Sequence, residues 1–353
     1  MTALAVLLLA ATSASAQTPS TAVSRVMKKV DALLASEAGK DAREASDKDK
    51  AAEALSKDLK PLGWRAAVPL GIEARAKGRS PKAKLIAVEF LGLLSDPAAF
   101  APLEEVLRDG EQPSVVRAAA AQSLPSQGLP GAEVSRALCG ALTPGLDREV
   151  QDQILLALNG LGCPEPAMLV AAARAYGPRP DGRDLDSAKK AIEALGRSRG
   201  EASANALLGL VAYFPPRGDA RAAAILALDS RRAEIASWRA VEAAPVVQEA
   251  LRSENQRWDT MLPLVRLAAA LGPRLNADLA RLSRHLDAEV LVTAAEALAE
   301  QKDPAALPEF EKIVAGAMTD PRFSPQDGRP DPAALLARLE KAVAALKRAQ
   351  TAR

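Results

Sequence analysis

The chain has 353 residues, of which 48% are hydrophobic but only 3% are aromatic. A core built mainly from Ala, Leu and Val favours closely packed helices, because Ala has the highest helix propensity and its small side chain lets helix axes approach. The 46 basic and 44 acidic residues give a net charge of +2, which argues against the strongly basic surface typical of nucleic-acid-binding proteins.

The first sixteen residues, MTALAVLLLAATSASA, have the features of a secretory signal peptide. They contain no charged side chain, carry an apolar run from Ala3 to Ala11, and end in Ala14-Ser15-Ala16. The run is too short to span a bilayer, but it matches a signal-peptide core followed by an A-x-A cleavage site. The missing Lys or Arg before the run leaves a buried N-terminal helix as the alternative. We expect cleavage after Ala16 and a mature periplasmic or secreted protein that begins at Gln17.

Residues 17–79 are predicted to form a charged helical segment followed by capping helices. Mixed charges recur there at three- and four-residue spacing, as on an exposed helix. Trp64, Val68 and Ile72 are predicted to close the open end of the helical array that follows. A partner-docking arm is the alternative interpretation of the segment.

The tetrapeptide Asp-Pro-Ala-Ala occurs three times, beginning at Asp96, Asp303 and Asp331. Asp is a preferred N-cap residue, and Pro suits the first helical position because its missing N–H costs nothing there. Each copy is therefore predicted to begin a helix. Two further N-cap residues, Ser80 and Asp287, stand sixteen residues before the first two copies. Each of these two segments is thus predicted to be a helix, a tight turn and a second helix.

A leucine near the end of the first helix recurs along the chain at intervals that are mostly in the thirties. An all-helical period of this size predicts an α-solenoid, in which helix pairs stack on their neighbours. The predicted fold class is therefore all-α, an α-solenoid of stacked antiparallel helix pairs. The recurring leucines are Leu91, Leu124, Leu158, Leu195, Leu228, Leu271 and Leu298.

Segments of this array, PSVVRAAAAQSL, SAKKAIEALG and AEVLVTAAEALAEQKDPAALPEFEKIV, resemble HEAT repeats. The resemblance is to the short bacterial HEAT-like repeats associated with phycobilin lyases, and it implies a HEAT/armadillo-like superhelix over residues 80–316. A Pro-rich loop is predicted over 317–332 and a C-terminal capping helix over 333–353.

In the HEAT family, a basic residue seven positions before the recurring leucine typically bridges neighbouring repeats. Lys84, Arg117 and Arg221 occupy that position here. The resemblance implies a bridging role for them, and a solvated charge on a helix face is the alternative.

The sequence offers little for catalysis or metal binding. The single histidine, His285, is predicted to be structural or exposed at the end of a second helix. Motifs for a zinc helix, a phosphate loop or a dinucleotide turn are missing. Cys139 and Cys163 are too few for a zinc site, and an antiparallel helix hairpin would place them too far apart for a disulfide. No catalytic residue, cofactor or metal is therefore predicted.

The function predicted is that of an exported, non-catalytic scaffold that holds a protein partner on a concave surface lined by the second helices. An enzyme on the same scaffold is the alternative, since the resemblance extends to phycobilin lyases and to HEAT-like alkylpurine DNA glycosylases. Export would separate the chain from the intracellular substrates of both. We expect neither nucleic acid nor an integral membrane segment. Partner carboxylates are predicted to pair with four arginines of second helices, unless these only supply solubilising charge: Arg136, Arg174, Arg281 and Arg284.

Overall fold

A computed structural model of the chain describes residues 18–36, 57–175, 182–254, 258–325 and 328–352. These residues are largely helical, and no strand occurs among them. They divide into two compact units, Met1–Leu161 and Gly162–Arg353. The predicted signal peptide and its cleavage site lie outside the described residues.

The N-terminal unit stacks its helices in two layers. In one layer α3 packs on α5 and α5 packs on α7, while in the other α2 packs on α4 and α4 on α6. Helix α1 covers α2 and α3. The bounds are α1 (Pro19–Ser36), α2 (Ala67–Arg75), α3 (Pro81–Leu94), α4 (Phe100–Arg108), α5 (Ser114–Ser123), α6 (Gly131–Ala141) and α7 (Arg148–Asn159).

The C-terminal unit repeats this arrangement. Helices α9, α11, α13, α15 and α17 pack in sequence in one layer, and α8, α10, α12 and α14 pack in sequence in the other, with α16 against α17. The bounds are α8 (Pro166–Ala175), α9 (Gly182–Arg197), α10 (Glu201–Tyr213), α11 (Asp219–Asp229), α12 (Arg232–Ser253), α13 (Trp258–Leu271), α14 (Asn276–Arg281), α15 (Ala288–Glu300), α16 (Leu307–Gly316) and α17 (Pro332–Thr351). Each unit is therefore an all-α solenoid of stacked helix pairs, as predicted.

The recurring leucines lie in the core of these stacks. Every one of the seven is at most 5% exposed, from Leu91 in α3 to Leu298 in α15. Their neighbours in the core are mostly Ala, Leu and Val. The low aromatic content thus produces a core of small and branched aliphatic side chains.

The repeated tetrapeptide begins helices in two of its three copies. The Asp331 carboxylate accepts the Ala333 N–H at 3.2 Å at the start of α17. The Asp96 carboxylate accepts the Ala98 N–H at 2.9 Å, and a short 3-10 turn there leads into α4. After Asp303 the chain first makes a turn, and α16 begins only at Leu307. The Asp303 carboxylate accepts the Ala305 N–H, so the local cap is present although the helix starts later.

The apolar stripe predicted to close the array is instead exposed. Trp64, Val68 and Ile72 are 59%, 62% and 57% exposed, so that expectation is wrong. The opposite side of α2, with Leu70 and Ala74, is buried instead. Helix α1 packs on α2 and α3, and the mixed charges of the segment did not predict its buried side. Four of its side chains are buried: Val23, Val26, Met27 and Val30.

Lys84 and Arg117, the two basic residues of the N-terminal unit that stand seven positions before a recurring leucine, both bond to residues outside their own helices. The Lys84 Nζ donates to Gln112 Oε1 at 2.8 Å, and both side chains are buried. The Arg117 Nε donates to the Leu107 carbonyl at 2.9 Å, and its guanidinium lies 3.9 Å from Asp147. Each basic residue therefore links its own helix to the loop that precedes the next helix of the same layer or to the end of the preceding helix.

Arg221 has the same role in the C-terminal unit. Its side chain is 2% exposed and pairs with Glu249 near the end of α12. All three basic residues are thus bonded to other parts of the fold, so the alternative of a solvated charge is wrong, and Arg117 reaches the preceding helix pair as the family resemblance implied.

The prediction that the two cysteines stay apart is also wrong. Cys139 and Cys163 are both disulfide-bonded and neither is free, and the chain has no other cysteine. The expectation assumed that α6 and α7 run side by side as a full antiparallel hairpin. Helix α7 packs mainly along α5 instead and much less along α6, so that assumption does not hold.

Candidate functional site: an arginine-lined cleft

The four arginines predicted to bind a partner lie on three second-layer helices and one adjoining turn. Arg136 belongs to α6, Arg174 to α8, Arg281 ends α14, and Arg284 lies in the 3-10 turn that follows. All four are exposed. Arg281 and Arg284 line one cleft, so the structure brings these two of the four together.

Arg281 and Arg284 line an open cleft of about 430 Å³ in the C-terminal unit. Arg252, at the end of α12, contributes a third guanidinium group. Among the described residues that line the cleft, Asp278 is the only one with a carboxylate. The cationic groups therefore outnumber the anionic one, a balance that favours anions over cations.

The Asp278 carboxylate lies between the arginines and is only 2% exposed. Its Oδ1 accepts a hydrogen bond from Arg252 Nε at 3.2 Å and another from the Arg281 guanidinium. Its Oδ2 accepts one from Gln248 Nε2 at 2.5 Å. A buried carboxylate needs such partners, because an unpaired charge in the protein interior is strongly unfavourable. Asp278 thereby fixes the positions of two of the three arginines.

Arg284 differs from its neighbours because it has no ion pair or hydrogen bond to any residue that the structure describes. It is exposed at the edge of the cleft, in the turn between α14 and α15. Its guanidinium group carries a positive charge and five N–H donors in a planar fork. It is therefore available to a ligand without breaking an internal contact.

The turn that carries Arg284 is braced from the predicted Pro-rich loop. Arg322 donates to the carbonyl oxygens of Ser283 and His285 at 3.3 and 3.2 Å. The Asp320 carboxylate holds Arg322 in place through three contacts, at 2.9 and 3.1 Å from Nε and 2.6 Å from the terminal nitrogen. The hydrogen bond from Arg322 lowers the pKa of Asp320 below its ordinary value. The loop residues therefore position one wall of the cleft.

His285 lies at the cleft in a structural role. Its Nδ1 accepts the backbone N–H of Asp287 at 3.0 Å, which caps the turn before α15. Next to it the Leu286 side chain is 88% exposed and also lines the cleft. Two other leucines, Leu251 and Leu282, are buried in its wall. The cleft thus combines cationic groups with an aliphatic surface.

The remaining predicted residues have other surroundings. The Arg174 guanidinium lies 4.8 Å from the centre of the Tyr213 ring, a cation–π arrangement on the surface of the C-terminal unit. Arg136 is exposed in the N-terminal unit and makes no ion pair with a described residue. Neither residue lines the cleft.

Sequence reasoning missed Arg252, Asp278 and Leu286. Arg252 lies in the long helix α12, where the leucine spacing is irregular and second-layer positions could not be assigned. Asp278 looks like an ordinary first-turn acid of α14. The run Arg281-Leu282-Ser283-Arg284-His285-Leu286 could have indicated Leu286, because it places basic and aliphatic residues together in one short segment.

The described part of the chain offers neither a cluster of metal ligands nor a membrane-spanning helix. Within it, no group of three or more His, Cys, Asp or Glu residues is arranged to hold a metal ion. Nor does any helix there combine the length and the apolar composition that crossing a bilayer requires.

Comparison with known proteins identifies no family for the chain. No family model matches it, and none of the curated proteins does. Among solved structures, human deoxyhypusine hydroxylase in complex with glycerol is similar over 92% of this chain and 97% of its own, at 18% identity and a TM-score of 0.28. A likeness this low carries no argument about function.

Proposed function

We propose that this protein is an exported, non-catalytic scaffold of HEAT-like repeats that binds a protein partner through its second-layer helices. The observation that carries the proposal is the arginine-lined cleft formed by the end of α12, α14 and the turn after it. Stacked helix pairs hold these elements in fixed positions, which suits a preformed binding surface.

The groups in the cleft favour binding over chemistry. The Asp278 carboxylate is only 2% exposed and already accepts hydrogen bonds from Arg252 and Arg281, so it is poorly placed to contact a substrate. The His285 Nδ1 is engaged with a backbone N–H. The guanidinium groups of the cleft remain accessible, and such groups bind and orient carboxylates.

Two features support export. The uncharged apolar leader with its A-x-A site matches a signal peptide. The disulfide-bonded state of Cys139 and Cys163 matches an oxidising compartment, where such bonds persist. Both features fit a periplasmic or secreted chain that begins at Gln17.

The proposal is tested by affinity purification of the tagged full chain from its native host, after mild cross-linking. Wild type is compared with Arg284→Glu and with Arg136→Glu as a matched charge reversal outside the cleft. We expect an N-terminus at Gln17 by mass spectrometry, and a stoichiometric protein partner that is lost only with Arg284→Glu. A cytoplasmic chain with intact Met1 would contradict export, and a chain that retains no partner, or that turns over a substrate when purified, would contradict the scaffold.

A further inference from the structure

We infer that the cleft takes a peptide segment in which a carboxylate side chain stands beside an aliphatic one. The inference rests on the proposed function and specifies the chemistry of the partner. It follows from three properties of the cleft: unused guanidinium donors, an internal carboxylate that shows how such a group is held, and leucines at the same surface.

The first property is the supply of free donors. Arg252 and Arg281 each contact Asp278 with a single nitrogen, and their side chains remain 54% and 57% exposed. Their other N–H groups make no hydrogen bond to any residue in the part of the chain that the structure describes, and Arg284 makes none at all there. Guanidinium groups bind carboxylates through two parallel N–H donors, which gives both energy and orientation.

The second property is that a carboxylate already occupies the space between two of these arginines. Asp278 accepts from Arg252 and Arg281 on one oxygen and from Gln248 on the other. Two guanidinium groups of the cleft therefore already converge on one carboxylate oxygen. A second carboxylate, supplied by a partner, is expected to lie on the open side, between Arg284 and the exposed edges of the other two arginines.

The third property, the set of side chains that line the cleft, favours a peptide over a nucleic acid as its ligand. Single-stranded nucleic acids need aromatic side chains on which bases stack, together with a long basic track. Among the residues that the structure describes, no Phe, Tyr or Trp lines this cleft, whereas Leu251, Leu282 and the 88% exposed Leu286 do. The chain's net charge of only +2 also does not favour a nucleic acid. Aliphatic contact beside a carboxylate seat is the chemistry of an acidic peptide with Leu, Ile or Val neighbours.

The volume fits this occupant. A cleft of about 430 Å³ lies within the range of roughly 300–1,000 Å³ that ligand sites usually show. Because Arg322 fixes the turn from behind through the Ser283 and His285 carbonyls, the wall bearing Arg284 is preformed. A peptide therefore does not have to order that wall when it binds.

The test uses the mature, disulfide-bonded chain and a panel of fluorescein-labelled, N-acetylated hexapeptides with Glu beside Leu, Ile or Val at varied spacing. Matched peptides replace Glu by Gln, the aliphatic residue by Ser, or Glu by phosphoserine. Binding is followed by fluorescence anisotropy for wild type, Arg284→Glu, Arg284→Lys and the control Arg136→Glu. Circular dichroism checks that all four retain the same helicity.

We expect at least one Glu-and-aliphatic peptide to bind, and its affinity to fall at least about tenfold with Gln for Glu and about fivefold with Ser for the aliphatic residue. Arg284→Glu should weaken binding at least about tenfold, Arg284→Lys less, and Arg136→Glu not more than about twofold. The inference is wrong if no acidic peptide binds, if Arg284→Glu binds like wild type, or if the phosphoserine peptide, inorganic phosphate or an oligonucleotide binds better than carboxylate. Peptide binding without a partner in the host would support the inference and contradict the proposed function. A host partner that Arg284→Glu retains would contradict the inference and leave the proposed function standing.

Discussion

Arg221 and Glu254 form an ion pair inside the C-terminal unit, with Nε 3.4 Å from Oε1 and side chains only 2% and 1% exposed. Arg221 lies in α11, seven residues before the buried Leu228, and Glu254 follows the last residue of α12. The same Glu254 oxygen accepts the Arg217 N–H at 2.7 Å, and Arg221 also contacts Glu249. One buried cation therefore ties α11 to the end of the next second-layer helix, which also bears Arg252 of the cleft.

The first prediction concerns this pair. Arg221→Met should lower the free energy of unfolding by about 3–5 kcal/mol, because it leaves the buried Glu254 carboxylate without its cationic partner. Arg221→Met combined with Glu254→Leu should cost less than Arg221→Met alone, since no uncompensated charge then remains. Urea unfolding followed by circular dichroism measures both.

Arg284→Met is the control for this experiment. That side chain is exposed and unpaired among the described residues, so we expect a change within about 0.5 kcal/mol. A double variant that is less stable than Arg221→Met would contradict the prediction, because the loss of stability would then not come from the unpaired Glu254 carboxylate.

The fold followed from sequence because its signals are local. Leu91 and Leu298 recur with the period of stacked helix pairs, and the carboxylates of Asp96 and Asp331 cap the turns they precede. Such patterns depend on residues a few positions apart. Val68 and Ile72 show where local patterns fail: α2 has apolar residues on both faces, and packing against α1, α3 and α4 decides which face is buried.

The cleft could be predicted only in part, because its residues meet through tertiary packing. Arg281 and Arg284 stand three positions apart in one segment and were found. Arg252 comes from α12, and Arg322, which braces the turn, comes from a loop whose prolines predict no particular structure. No spacing in the sequence connects those two residues to Arg284.

The second prediction uses Asp320. Its pKa is lowered mainly by the hydrogen bond from Arg322, so the folded state binds a proton less readily than the unfolded state. The contribution of the ionised Asp320 carboxylate to folding stability is therefore fully present above the ordinary pKa of 3.8. It is lost as the pH falls through the lower folded-state pKa. Asp320→Asn should cost about 1 kcal/mol at pH 6, and the difference from wild type should shrink below pH 4.

Unfolding free energies measured between pH 2 and pH 6 test this dependence. Arg322→Ala supplies the control, because without the arginine the Asp320→Asn change should have little pH-dependent effect. A constant difference between wild type and Asp320→Asn across that range would contradict the assignment.

The third prediction concerns the contact of α2 with α4. A Cβ added at Gly71 would lie 2.6 Å from the Pro102 Cβ, closer than two carbons can approach. Gly71→Ala should therefore destabilise the protein by about 1–3 kcal/mol, as overpacking usually does. Gly78→Ala is the matched control, since no atom lies within 4 Å of the added carbon there. Equal thermal unfolding of the two variants would show that α2 and α4 are not packed this closely.

The last prediction concerns the disulfide. Cys139 and Cys163 are the only cysteines of the chain, both are bonded, and they are 1% and 4% exposed. A bond that closes a loop of 24 residues restricts the unfolded chain and stabilises the folded one by about 3 kcal/mol. Cys139→Ala, Cys163→Ala and the double variant should all lose about that amount, and equally, because either change removes the same bond. Reduction of the wild type should have the same effect, and Cys139→Ala should not respond to reductant. Mass spectrometry of a non-reducing digest of protein exported by its host should find the cross-linked peptide; two free thiols there would contradict the bond and remove one of the two features that support export.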